Sequence, residues 1–298
     1  MSIEPWYWMA FTVAAAAAQS ARNAMQRELT AVLGTVGATQ VRFLYGLPFG
    51  LLFLVTALLA TSETLPRFNS TAVLWTATGA LAQVAATALM LAAMREKSFV
   101  VTTALIKSEP VWVAILAFIL LGEQLGLVPV LGIAVATAGV LWLSWPASGV
   151  AWTLRPVMLG LASAAVFAAS AIAFRAAILG LPEGTGFVVA ASAVMALSLT
   201  MQVVILFAWM LLANRALIGE LLKVWRPSLA TGLLAASASQ CWFLAFAIES
   251  PARIRTLGLI EILFAQLISR QIFSQKQSAR EIAGMMLLVV GVVIVLRN

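Results

Sequence analysis

Apolar residues run along this chain in long unbroken blocks separated by short polar clusters, and nowhere do they alternate with polar ones at a period of two. The blocks predict spans at 6–29, 41–60, 72–94, 98–121, 127–146, 156–178, 186–212, 228–248, 252–273 and 279–296. Each lies near the ~20 residues a helix needs to cross the hydrocarbon core of a bilayer. No water is present there to satisfy an open backbone, so only helices or closed barrels can span. Bulk Ala and Leu without alternation select helices. The breaks carry turn chemistry: Ser62-Glu63-Thr64-Leu65-Pro66, Arg95-Glu96-Lys97, Gly122-Glu123-Gln124, Arg155-Pro156, Leu181-Pro182-Glu183-Gly184 and Arg226-Pro227. The first block has Glu4 as its only early charge and continues past Gln19, so it reads as a retained span rather than a cleaved leader.

A repeat lies beneath the pattern. Adding 152 to positions in the fourth and fifth spans carries Ser98 to Ser250, Glu109 to Glu261, Gly132 to Gly284 and Gly139 to Gly291. Arg27 and Arg175 also correspond, as do Thr78-Gly79 and Thr231-Gly232, at slightly different offsets. Five spans per copy is an odd number, so the second copy enters the membrane from the opposite side. The expected fold is therefore an all-α integral membrane protein of ten transmembrane helices. They form two inverted five-helix repeats, residues 1–150 and 151–298, around a central cavity, with binding near the midplane.

Composition narrows the chemistry. Apolar residues make up 63% and charged residues 10% of the 298, against about 45–50% and about 25% in soluble domains. Histidine is absent, which removes the usual proton shuttle and zinc ligand, and a lone Cys241 excludes an intrachain disulfide or a cysteine metal cluster. Neither metal nor cofactor is expected. The net charge of +7 sits in short loops beside span ends and calls for no nucleic acid. Trp6, Trp8, Trp75, Trp145, Trp152 and Trp225 fall at span ends, as interfacial anchors do.

From Ser108-Glu109-Pro110-Val111 through Leu120-Leu121-Gly122-Glu123-Gln124 to Gly132 and Gly139, the sequence resembles the end of an EamA-type unit. That is the repeating unit of the drug/metabolite transporter superfamily, and Arg42-Phe43 resembles its arginine at the opening of span two. The resemblance covers nearly the whole chain as two units, about 6–146 and 156–296. In the second unit Glu261 is followed by Ile262 rather than proline, and Gln275 replaces the acid of the turn. It implies a ten-helix basket that moves small metabolites, often outward, with amino-acid and amine exporters frequent among its members.

Ionisable groups inside the spans are the functional candidates, since each costs about 2.5–3.5 kcal/mol at the bilayer centre. Glu109 and Glu261 fall near the middle of spans four and nine, where they either grip a cationic group or exchange protons, or else hold helices in register. Lys107 is two residues from Glu109, on the opposite side of a helix, so the two cannot pair and Lys107 needs a separate partner, a watery cavity or enough reach to snorkel. Gln19, Arg22, Asn23 and Gln26 form a polar stripe on span one that should face into the bundle. Gln240 with Ser237, beside Ser239 and Trp242, and Gln83 with Thr87, read as cavity lining or as interhelical glue. Arg253 and Arg255 either snorkel to headgroups or face the cavity mouth, where with Lys107 and Arg22 they would suit a substrate's carboxylate or phosphate. The candidate substrate cavity is thus Gln19, Arg22, Asn23, Gln83, Lys107, Glu109, Ser239, Gln240, Trp242, Arg255 and Glu261.

Together these features predict a secondary transporter of small metabolites working by alternating access, an exporter in a bacterial inner membrane. Mixed charge signs favour an amino-acid-like substrate over a cationic drug or a nucleotide. A membrane-embedded lipid-modifying enzyme is the reading from another class. No His, no clustered Asp pair for magnesium and no nucleophile–base set supports it, so no catalysis is expected. The expected partners are a small-molecule substrate and the lipid bilayer, with the chain a monomer or homodimer. Basic residues concentrate in the odd-numbered loops (Arg95, Lys97, Arg155, Arg215, Lys223, Arg226, Lys276, Arg280), which places both termini outside the cytoplasm. The family resemblance implies the reverse.

Overall fold

The computed structural model describes residues 6–95, 105–122, 126–144, 154–264 and 279–297, and every regular element among them is helical. In chain order these are α1 (Tyr7–Leu44), α2 (Leu47–Thr61), α3 (Ser70–Arg95), α4 (Glu109–Leu121), α5 (Leu127–Ser144), α6 (Leu154–Leu179), α7 (Phe187–Ala213), α8 (Ala216–Lys223), α9 (Trp225–Ile248), α10 (Pro251–Gly258) and α11 (Ala279–Leu296). Among the described residues, five stretches are long and apolar enough to cross a membrane: Val36–Thr61, Ser70–Met90, Val157–Leu179, Phe187–Ala213 and Trp225–Ile248. Three shorter apolar helices, Glu109–Leu120, Leu127–Trp142 and Ile282–Leu296, accompany them. This is an integral membrane architecture. The stretch 265–278, which holds the end of predicted span nine and Gln275, lies outside the described residues, as do Lys97 and Glu123.

The chain divides into two compact units: residues 1–81 with 173–248, and residues 82–172 with 249–298. In the first, α1 packs on α9, α2 on α7, and α7 on α9. Tyr45 and Gly46 approach Gly232 at one end of the α1–α9 seam and Gln19 meets Trp242 at the other, so these helices run antiparallel. The Phe174 ring lies over Gly79 and 4.7 Å from the Phe243 ring.

The hydropathy pattern predicts an end to the first span at residue 29 and a loop over 30–40; instead α1 continues to Leu44 through a break at Gly34. Gly34 has φ 66 and ψ 179, a conformation open to glycine, while a Cβ there would meet nothing within 4 Å. Gly34→Ala therefore isolates the backbone cost. It is expected to lower stability by about 1–2 kcal/mol, read as a lower thermal unfolding midpoint of the purified protein.

In the second unit α5 packs on α11, and α10 on α4. Gly132 faces the Gly291 carbonyl and Val295, while Gly139 faces the Gly284 carbonyl and Leu288. Position rises along α5 as it falls along α11, so the two are antiparallel, and they approach where small residues let backbones touch. Val113, Ala117, Ile133, Ala168, Ile172, Ala252 and Val295 form the apolar core of this unit.

Predicted spans four and nine each contain a break that the hydropathy pattern does not show. Leu105-Ile106 is helical, Lys107-Ser108 turns, and helix resumes at Glu109. Likewise α10 ends at Gly258, Leu259-Ile260 turns, and helix resumes over 261–264. Both breaks are tightened by three-residue hydrogen bonds: Ser108 N–H to Leu105 O and Val111 N–H to Ser108 O, both 3.0 Å. The second has Ile260 N–H to Leu257 O at 3.0 Å and Leu263 N–H to Ile260 O at 2.8 Å. Pro110 explains the first, since it has no N–H to offer the preceding turn and its ring clashes with a continuous helix.

Candidate functional site

The two breaks set four charged side chains of the second unit in crossed pairs. Lys107, in the first turn, places its Nζ 3.3 Å from Glu261 Oε2. Arg255, in the last turn of α10, places its Nε 3.0 Å from Glu109 Oε1. Each carboxylate opens a helical turn just past a break, and each is matched by a cation from the other half of the sequence. Glu109 at the start of α4 and Arg255 at the end of α10 both sit where the helix dipole favours their sign. The side chains keep 20% and 12% exposure in the Lys107–Glu261 pair and 14% and 16% in the Arg255–Glu109 pair, so all four are largely but not fully enclosed. The Arg255 Nε and Glu109 Oε1 atoms are close but not aligned as a hydrogen bond, so charge rather than a directed bond holds that contact.

Of the alternatives open to Lys107, a separate partner, a watery cavity or snorkelling, the structure shows the first. The two arginines of α10 divide. Arg253 pairs locally with Glu249 at 3.4 Å, both side chains about a quarter exposed, whereas Arg255 turns inward to Glu109 instead of snorkelling. Membership of one helix face does not reveal this, because Glu109 comes from an element 146 residues earlier.

A second polar group lies in the first unit. Trp242 Nε1 donates to Gln19 Oε1 at 3.2 Å, joining α9 to the stripe on α1. Gln240 Nε2 donates to Ser192 Oγ of α7 at 2.8 Å, and Gln240 Oε1 is buried without a hydrogen bond. Arg22 is buried on α1, and Ser239 is half-buried on α9. The side chains of Asn23 and Gln26 lie outside the described residues. Gln83 is half-buried on the part of α3 that belongs to the second unit. Thr87 Oγ1 donates to the Gln83 backbone carbonyl at 2.8 Å, so that threonine's polarity is spent within its own helix. Ser192 has no signal in the sequence, since one serine in an apolar run carries no pattern. Arg175 stands out only through the repeat; its guanidinium donates to the Phe246 carbonyl.

In helical membrane proteins, enclosed and paired charges on broken helices are a feature of substrate and ion pathways. The EamA-like transporter family model matches residues 6–145, a little under half of the chain, and over that stretch the sequence is similar to this family. The fold is also similar to that of a solved protein described only as "Crystal structure of protein". It is 17% identical, with a TM-score of 0.72 over 96% of this chain and 95% of that one. No curated protein sequence matches the chain.

Proposed function

We propose that the chain exports a small zwitterionic, amino-acid-like metabolite across a bacterial inner membrane by alternating access. The observation that carries this reading is the crossed quartet of Lys107, Glu109, Arg255 and Glu261. Its four charges sum to zero. A substrate bearing one ammonium and one carboxylate can exchange partners with a pair, ammonium to glutamate and carboxylate to arginine or lysine, without adding net charge to a poorly hydrated place. A cationic drug would leave one positive charge in excess and a nucleotide several negative ones, so both fit less well.

Ten helices in two inverted repeats, 1–150 and 151–298, remain the organisation that best accounts for the pattern. The three-residue hydrogen bonds at 108 and 111 recur at 260 and 263, the same offset of 152 that relates Glu109 to Glu261. The antiparallel crossing of α5 and α11 on Gly132, Gly139, Gly284 and Gly291 has the form an inverted pair would take. We further infer that the chain acts as a monomer or homodimer, with both termini outside the cytoplasm as the charge bias indicates. A reporter fused after Asn298 that is active only in the cytoplasm should then stay silent, and a strong signal would reverse that orientation.

Thermal unfolding of the purified protein against amino acids, amines and nucleotides tests the substrate class. A ligand at a hundredfold excess over its Kd stabilises the folded state by about 2.7 kcal/mol. Zwitterionic amino acids should raise the midpoint and exchange in proteoliposomes. Stabilisation by amines or nucleotides alone would overturn the zwitterion reading, and no flux of any of them would overturn transport.

A further inference from the structure

The segment joining α7 to α9 belongs to neither polar group of the candidate site. It contains α8, whose Leu217 and Leu221 are one turn apart and buried, packed with Leu29, Leu33, Ala38 and Val41 of α1 and Met210 of α7. Tyr45 Oη donates to the Leu221 carbonyl at 2.9 Å, fixing the helix further. The apolar stripe of α8 is therefore already used against its own unit and is not free to dip into lipid. What α8 turns outward is Gly219, Glu220, Leu222 and Lys223, each exposed or nearly so.

Within residues 215–226 this outer side carries Arg215, Lys223 and Arg226 against the single acid Glu220. None of the three cations is buried, and none has a carboxylate partner among the described residues. Arg226 lies 5.4 Å from the Trp225 ring centroid. Alongside them stand large exposed apolar side chains: Leu212 at 87%, Leu222 at 64%, Trp225 at 49% and Trp209 at 43%. Tryptophans with cations above a lipid-facing apolar surface mark the headgroup level of a bilayer.

We propose that α8 and its flanks form a docking surface for the phosphates of anionic phospholipid headgroups. Three cations without carboxylate partners give the charge, and the adjoining leucines and tryptophans give the acyl chains a surface that a free phosphate ion has no use for. A site of this kind clamps α8 onto α1 on both sides of Gly34, since Leu29 and Leu33 precede that break and Ala38 and Val41 follow it.

The test is a titration of phosphatidylglycerol, with phosphatidylcholine as reference, into the purified full-length protein, read by thermal unfolding midpoint and by native mass spectrometry. Phosphatidylglycerol should bind and stabilise where phosphatidylcholine does not, and rising salt should weaken it. At about fivefold per cation, R215Q/K223Q/R226Q should weaken binding on the order of a hundredfold, while R67Q, in the 62–69 loop, leaves it intact. An unchanged lipid response in the triple variant, an equal loss in R67Q, or the same shift from inorganic phosphate alone would each overturn the proposal. Arg215 Nε donates to the Leu211 carbonyl at 2.8 Å, so the triple variant can fail to fold for a local reason. K223Q/R226Q leaves that bond in place and should still weaken phosphatidylglycerol binding about 25-fold; wild-type affinity in this double variant would also overturn the proposal.

Discussion

Glu109→Gln is expected to abolish transport and to lower stability by about 3 kcal/mol, whereas E109Q/R255Q recovers most of the stability and none of the transport. The carboxylate lies 3.0 Å from the Arg255 guanidinium with both side chains largely enclosed. Neutralising one partner removes the charge that offsets the other's loss of water, and such changes cost about 3–5 kcal/mol in enclosed pairs. The residual exposure of 14% and 16% places this pair toward the lower figure. Neutralising both removes the imbalance, so the double variant should fold nearly as well as the wild type. Flux separates the two roles these residues can have. If the pair only holds α4 against α10, regained stability brings regained transport. If it receives substrate, the double variant folds, binds no ligand in a thermal-shift measurement and carries no flux. The same cycle on Lys107 and Glu261, 3.3 Å apart, should behave alike.

Much of the quartet is legible in the sequence. The offset of 152 matches Glu109 to Glu261, and helical geometry denies Lys107 its near neighbour, which leaves a distant partner, a watery cavity or snorkelling. What cannot be read there is the crossing. Arg255 looks like an interfacial arginine because it follows the break at Glu249-Ser250-Pro251, and nothing local reports that α10 packs on α4. The breaks are hidden for a related reason. A turn of two residues hardly changes the mean apolarity of a span, and although Pro110 marks the first, the second has no proline after Glu261. The helix α8 falls in the gap between spans seven and eight. Its Leu217 and Leu221, one turn apart, carry the only signal, too short to separate from a loop. The bond from Trp242 to Gln19 joins residues 223 positions apart, a distance at which sequence pattern is silent.

The second large effect is expected at the seam of α5 and α11. Gly139→Val should lower stability by about 3 kcal/mol, at the upper end of what overpacking costs, and Gly291→Val should match it. A Cβ at 139 would lie 2.5 Å from the Leu288 backbone nitrogen and 2.8 Å from the Gly284 carbonyl oxygen, and one at 291 would meet the backbone of Ala136. Backbone atoms cannot rotate aside as a side-chain end can, so the helices must part. Inside a bilayer little opposes that parting, because lipid tails are as apolar as the residues exposed and only close packing joins the pair. Gly139 and Gly291 are 152 positions apart, the offset that relates Glu109 to Glu261, and lie one on each helix of a single antiparallel seam. The first valine therefore opens contacts that the second would also open, and G139V/G291V should cost clearly less than the sum of the two. Gly219→Val is the control for bulk alone, since a Cβ there meets nothing within 4 Å. The measurement is the unfolding midpoint of detergent-solubilised protein by fluorescence-detected size exclusion. Full additivity of the two seam variants would mean that they disturb separate contacts, and a midpoint for G139V equal to that of G219V would mean that the helices do not meet at these glycines.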